Sequence, residues 1–229
     1  MTLGPEGSGG ATGSDPGRAL CELLMAELPV SGASISVVGE LGSHSVVGAT
    51  DELAVQLEAS QFQLGVGPHW DALQSQRPAF LYNLAEAADR GAWPSLVTAA
   101  LRLGSAALFA FPLRLGESTV GVADLYSRTP VERWSDDTIA RAEDLVVRLA
   151  EPAVRIATRS ADSETDRTGS IAVELRREVH QATGMVMAQL DTDAATAFVR
   201  LRAHAFATGV PLETLARDVV RRRVNLAEH

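Results

Sequence analysis

The sequence predicts an α/β domain, a mainly antiparallel sheet with flanking helices, followed by a separate all-α bundle of three helices. Three observations carry this expectation. Residues 19–159 alternate apolar patterns of helical period with pairs of strand-like runs joined by short turns. Residues 160–170, SADSETDRTGS, are polar and without period, as a linker is. Residues 171–229 then carry three apolar stripes at spacings of three and four, joined by connections so short that the helices must be neighbours. Helices mixed with hairpins give layers of helix on sheet, whereas helices alone give a bundle, so the chain reads as two domains.

A length of 229 residues suffices for one ordinary domain and a small one. Hydrophobic residues make up 46% and charged residues 21%, the balance of a soluble globular protein. No apolar run approaches the ~20 residues that span a bilayer, so no membrane contact is expected. Residues 1–18 are rich in Gly, Ser and Pro and lack both a basic start and an apolar core. They read as a disordered tail and not as a signal peptide. The single cysteine, Cys21, excludes an internal disulfide, a CxxC pair and a multi-cysteine zinc site, and points to the cytoplasm.

Charge is uneven. Of the net −9, residues 171–229 contribute eight Arg against seven acids, and the remainder twelve Arg against twenty-two acids. The acidic body repels nucleic acid at long range, which leaves the C-terminal segment, near +1, as the one electrostatic footprint for it, and a weak one. All twenty basic residues are Arg, whose planar fork favours bidentate contacts over point charges.

In order, ALCELLMAELPV is a helix with Leu20, Leu23, Leu24 and Leu28 on one face. ASISVV and SVVGAT are strands around the turn GELGSH. Asp51 is a fitting N-cap for the helix DELAVQLEASQ. GVGPHWDAL is a turn entering a short helix, PAFLYNL a strand, and WPSLVTAALRLG a helix ending at Gly104. SAALFAFPLRL and STVGVADLYS form a second hairpin, apolar enough to sit mid-sheet with both faces covered. The helix from Ser135 carries Ile139, Ala142, Val146, Leu149, Ala153 and Ile156 at a/d spacing. That seam either faces the domain's own core or forms a dimer helix, and Pro152 inside it should kink or restart the helix.

In the bundle, the stripes are Ile171, Leu175, Val179, Ala182, Val186 and Leu190; then Ala194, Ala197, Phe198, Leu201 and Ala205; then Leu212, Leu215, Ala216 and Val219. Gly209 suits the end of the second helix and Pro211 the first turn of the third. Opposite the first stripe, Gly184 stands mid-helix at a cost of about 1 kcal/mol relative to Ala. It either packs closely against the next helix or lets a partner approach the backbone, with Arg176, Arg177 and His180 beside it.

HQATGMVMAQL, AFVRLRAHAF and LETLARDVVRRR, at these distances, resemble the ANTAR domain, the three-helix RNA-binding module of bacterial transcription antiterminators. The resemblance covers roughly residues 171–225. Thr183 stands where many members carry Lys, and Asp191 where many carry Gly. QLGVGPHWDAL, the WPSL helix, FPLRLGESTVGVADLYS and SDDTIARAEDL resemble a GAF domain of the actinobacterial kind that precedes ANTAR domains. Together they imply a GAF and ANTAR domain-containing transcription antitermination regulator, not an enzyme, that binds hairpin RNA. The GAF-like part would then be a sensor or dimerisation module with a small-molecule ligand of unknown identity, and the chain a homodimer.

Within that frame Arg176, Arg177, His180, Thr183, Gly184, Arg202 and His204 are the candidate RNA-binding residues. Arginine planes and aromatic rings suit unstacked loop bases, although Phe206, one turn from Arg202, reads better as core. Arg221, Arg222 and Arg223 fit a helix C-terminus without any RNA. His69, Trp70 and Asp124 are the candidate ligand contacts. His69 has no second metal ligand at helical spacing, and Asp124 is the one charge inside an apolar strand, placed either at a sheet edge or in a pocket. Gly65-x-Gly67 runs into Pro68, so it is a turn and not a dinucleotide fingerprint. No catalytic set, metal set or cofactor is implied.

Overall fold

The computed structural model describes residues 15–38, 44–163, 171–192 and 194–228, of which the side chains of 161–163, 171–177, 180, 194, 195, 213 and 228 lie outside the description. The predicted turn over residues 39–43 and most of the predicted tail and linker fall among the residues it leaves out, as do the side chains of Ile171, Leu175 and Ala194 of the stripes.

Strand residues alternate their side chains between two faces, and here both faces are apolar, so helices cover the sheet on both sides. The order is β2(His44–Ala49), β1(Gly32–Val38), β5(Ser118–Ser127), β4(Ala107–Leu115), β3(Ala79–Leu81), every pair antiparallel. On one face Ile35, Phe109, Phe111, Leu113 and Leu125 pack against α1(Pro16–Glu27) and α6(Asp136–Ser163). On the other, Leu108 and Tyr126 meet α2(Glu52–Leu64), α4(Leu84–Asp89) and α5(Pro94–Leu103). Beside them Ala110 and Val122 meet Ala72 of α3(Pro68–Ser75).

The helix ends follow local chemistry. Asp51 caps α2 by accepting from the Ala54 amide at 2.8 Å, and α5 ends at Gly104 in the left-handed region, both as predicted. Helix α1 begins earlier than expected, at Pro16 behind the N-cap Asp15, so the predicted tail is shortened. Its buried face is Gly17, Cys21, Leu24 and Leu28, with Leu23 exposed, because Gly17 presses against Gly48 of β2 with no room for a side chain on either. The short α4 gives no long apolar period and was not expected from the sequence.

The a/d seam of α6 resolves to the core-facing reading. Ala142, Val146, Leu149 and Ala153 are buried against the sheet, and the helix runs through Pro152 without a break. A dimer coiled through that seam would have to unpack the domain.

The C-terminal helices are α7(Ile171–Leu190), α8(Ala194–Thr208) and α9(Leu212–Val220), followed by a 3-10 turn, Leu226–Glu228. Their predicted stripes converge: Val179, Ala182, Val186, Ala197, Leu201, Ala205, Leu212, Leu215, Ala216 and Val219 are buried together. One further side chain in that core, Phe62 at 5% exposure, comes from α2 of the sheet domain.

Candidate functional site

Asp124 lies on β5, a central strand, so it is not at a sheet edge. Its pleat position turns it toward α2 and α3. There His69 Nδ1–H donates to Asp124 Oδ2 at 2.7 Å, and Gln61 Nε2 donates to Asp124 Oδ1 at 3.1 Å. Gln61 also accepts from the His69 amide at 3.0 Å, while its own carbonyl takes the Trp70 indole N–H at 2.7 Å. Burial alone would lower the His69 pKa. The charge of Asp124, its hydrogen bond and the charge of Glu58 outweigh that and leave it raised. A second pair adjoins the first: His44 Nε2 lies 3.4 Å from Glu58 Oε1, and the His44 ring sits 5.4 Å from that of His69.

The carboxylate is therefore buried but paired, which removes the cost that singled it out in the sequence. Two of the three candidate ligand contacts, His69 and Asp124, touch each other, and Trp70 stands one residue outside them. The cavity beside Asp124, lined by Ser34, Leu57, Gln61 and Tyr126, holds about 10 Å³. That is room for one water and not for an organic ligand. Among the described residues no group of three or more His, Cys, Asp and Glu is placed to hold a metal ion.

Above this cluster the bundle meets the sheet domain. Phe198 of α8 fits between Phe62 at 5.7 Å and Trp70 at 5.8 Å, the Trp70 ring being stacked on it at 24°. Arg202, one turn on, donates from Nη1 to the Gly65 carbonyl at 2.9 Å, with its guanidinium 5.8 Å from the Trp70 ring centre. Burial pulls the Arg202 pKa below its ordinary value. Gly65 is the left-handed C-cap of α2, and a Cβ there would fall 2.0 Å from Arg202 Nη1. This seam needed Phe62, whose apolar spacing in α2 is indistinguishable from that of a residue facing its own domain.

Arg202 and His204 do not share a surface. Arg202 faces the sheet domain, whereas His204 lines an open groove of about 550 Å³ with Arg200, Thr196 and Leu226. A neighbouring groove of about 620 Å³ is lined by Arg222, Arg223, Gln189 and Asn225, so the arginines assigned to a helix terminus also border a concave surface. Thr183 is 4% exposed, and its hydroxyl donates to the Val179 carbonyl within α7. Phe206, expected in the core, is instead 88% exposed. Gly184 is exposed with nothing within 4 Å of where a Cβ would sit, which rules out close helix packing as its reason. The side chains of Arg176, Arg177 and His180 lie outside the described residues. Asp191, where the resemblance expects Gly, holds φ 47°, a conformation that Asp tolerates better than most residues.

Among the described residues no helix is long and apolar enough to cross a membrane. No curated protein matches the chain. Among solved structures it is similar to a domain of a protein described as a two-component sensor histidine kinase from Sinorhizobium meliloti 1021. That match has 23% identity and a TM-score of 0.47 over 66% of this chain and 95% of that one. The GAF domain region of a protein from Geobacter sulfurreducens PCA gives 23%, 0.48, 61% and 90% in the same order. The type II free methionine-R-sulfoxide reductase from Thermoplasma acidophilum gives 14%, 0.45, 61% and 91%. At these scores the likeness is loose. The C-terminal match is of another kind: residues 170–220, which hold all three bundle helices, match the family model of the ANTAR domain.

Proposed function

We propose that this chain is a cytoplasmic RNA-binding transcription antitermination regulator of the actinobacterial type, in which a GAF-like sensor controls an ANTAR bundle that binds hairpins in nascent RNA. The observation that carries the reading is the ANTAR match over the three helices at 170–220. Two arginine-bordered grooves on that bundle give it surfaces concave enough for nucleic acid. Cysteine-based reductase chemistry is a poor alternative. Cys21 is the chain's one cysteine, is buried, and has its thiol pushed up to about 12 by burial, far from a reactive thiolate. A homodimer would place two bundles side by side on paired hairpins, but through some face other than the α6 seam.

The test is a titration of the full chain against a two-hairpin RNA library with randomised loops and against duplex DNA of the same sequences. Binding confined to a subset of the RNAs, with readthrough of a terminator placed after them, is the expected result. Equal affinity for the DNA duplexes would make it a DNA-binding regulator instead.

A further inference from the structure

The face of α8 that meets the sensor is built like a site for an unpaired base. Unstacked RNA bases are held on aromatic rings and arginine planes, with hydrogen bonds to their polar edges. Phe198 and Arg202 supply one ring and one guanidinium on adjacent turns, and both are occupied. The flat indole of Trp70 stacks on Phe198 at 5.8 Å and lies beneath the Arg202 guanidinium, while the Gly65 carbonyl takes the Arg202 N–H at 2.9 Å. A heteroaromatic plane on the ring and a carbonyl oxygen on the guanidinium are what a loop base would present.

We propose that Phe198 and Arg202 form a binding site for an unpaired RNA base, which the sensor's own Trp70 and Gly65 carbonyl fill by mimicry in the docked form. The proposal rests on the RNA-binding reading of the bundle and adds the location of one base site and its competitor. Docking is then autoinhibitory by direct occupancy. The polar cluster sets the pose of the mimic, since Gln61 holds the Trp70 N–H and the His69 ring packs edge-on to Trp70 at 5.4 Å. Anything that shifts α2 against α3 would move Trp70 out of the site.

Gly65→Ala tests it from the sensor side: the added Cβ displaces the Arg202 side chain, strains the left-handed C-cap of α2 and leaves the bundle sequence intact. Trp70→Ala is the second variant, removing the ring itself. Small-angle scattering reports release as an increased radius of gyration, and the randomised two-hairpin library reports affinity. Both full-chain variants should expand and bind RNA about tenfold more tightly, as expected when a closed form holding about nine-tenths of the protein is opened. Adding Phe198→Leu or Arg202→Ala should cancel the gain. Variants that expand but bind like the parent, or that keep their gain without Phe198, overturn the proposal. So do variants that fail to expand. If neither parent nor variant binds any library member, the RNA reading itself falls and takes this site with it. Equal binding by all of them overturns the base site and its mimicry and leaves the RNA reading of the bundle standing.

Discussion

The two folded regions of this chain close their cores differently. The sheet domain covers both faces with helices from its own segment, and its buried charged groups meet partners within it. The bundle has three helices, a single buried polar residue among those described, Thr183, and a core completed by Phe62 from outside. A small bundle buries too little surface to be comfortable alone. The sheet domain's core is thus complete within its own segment, whereas the bundle's includes a residue next to its docking seam, and an unequal stability of the two is expected. When one body of such a pair is the weaker, small changes at their contact can shift the balance between packed and released forms.

The strongest way to break that comparison is Leu201→Ala, which empties a fully buried position of the bundle. The cost should be about 4 kcal/mol, enough to abolish the bundle's own transition in calorimetry while the sheet domain still melts cooperatively. If both regions shift together, they form one cooperative unit and the contrast is lost. Next comes Phe62→Ala, expected to cost about 3 kcal/mol. Although the mutation lies in α2, hydrogen exchange should quicken in α8 and α9 and stay slow in β4 and β5. The opposite distribution would return Phe62 to the sheet domain.

A smaller effect separates the regions by pH. Folding raises the His69 pKa, so the associated stability is present below the ordinary histidine value and is lost as pH rises through the raised one. His44, Glu58 and Asp124 are the ionisable groups around it. Asp124→Asn should cost the sheet domain about 2 kcal/mol near about pH 6 and less at higher pH. Urea unfolding across that range should therefore show a slope in the parent that flattens in the variant. The bundle, whose buried polar group is a neutral hydroxyl, should show neither. Parallel curves for parent and variant would mean that the His69–Asp124 pair does not couple protons to folding.

Periodic features were legible in the sequence, and contacts between distant segments were not. The three C-terminal helices, both hairpins and the Asp51 and Gly104 caps follow from spacing and turn chemistry, because those signals are local. The seam did not show, because Phe62 and Phe198 look like ordinary stripe members until two domains are placed together. Arg202 and His204 looked like one site because they are near in sequence, yet two residues along a helix turn to different sides. Asp124 was visible as an anomaly, a charge in an apolar strand, but its partners lie 55 and 63 residues away in the chain. Phe206 failed as a core residue because a single aromatic at helical spacing carries no sign of which side is wet.

The mildest expected change is also the one that asks most directly what the bundle is for. Gly184 sits in the middle of α7, exposed, with no atom near enough to forbid a side chain. Helix propensity alone makes Gly184→Ala stabilising by about 0.5–1 kcal/mol, and the structure gives no packing reason to offset that. A residue that weakens its own helix without easing any contact is where a functional demand is to be sought. Bare backbone lets a phosphate or base edge come closer than a methyl group would permit. Gly184→Ala should thus raise the bundle's melting temperature by a few degrees and at the same time weaken binding to the hairpin library. Thermal melts and RNA titrations on the same preparation decide it. A variant that is more stable and binds RNA as well as the parent would show that the open stretch of α7 is not where RNA approaches, and would shift attention to the groove bordered by Arg222 and Arg223.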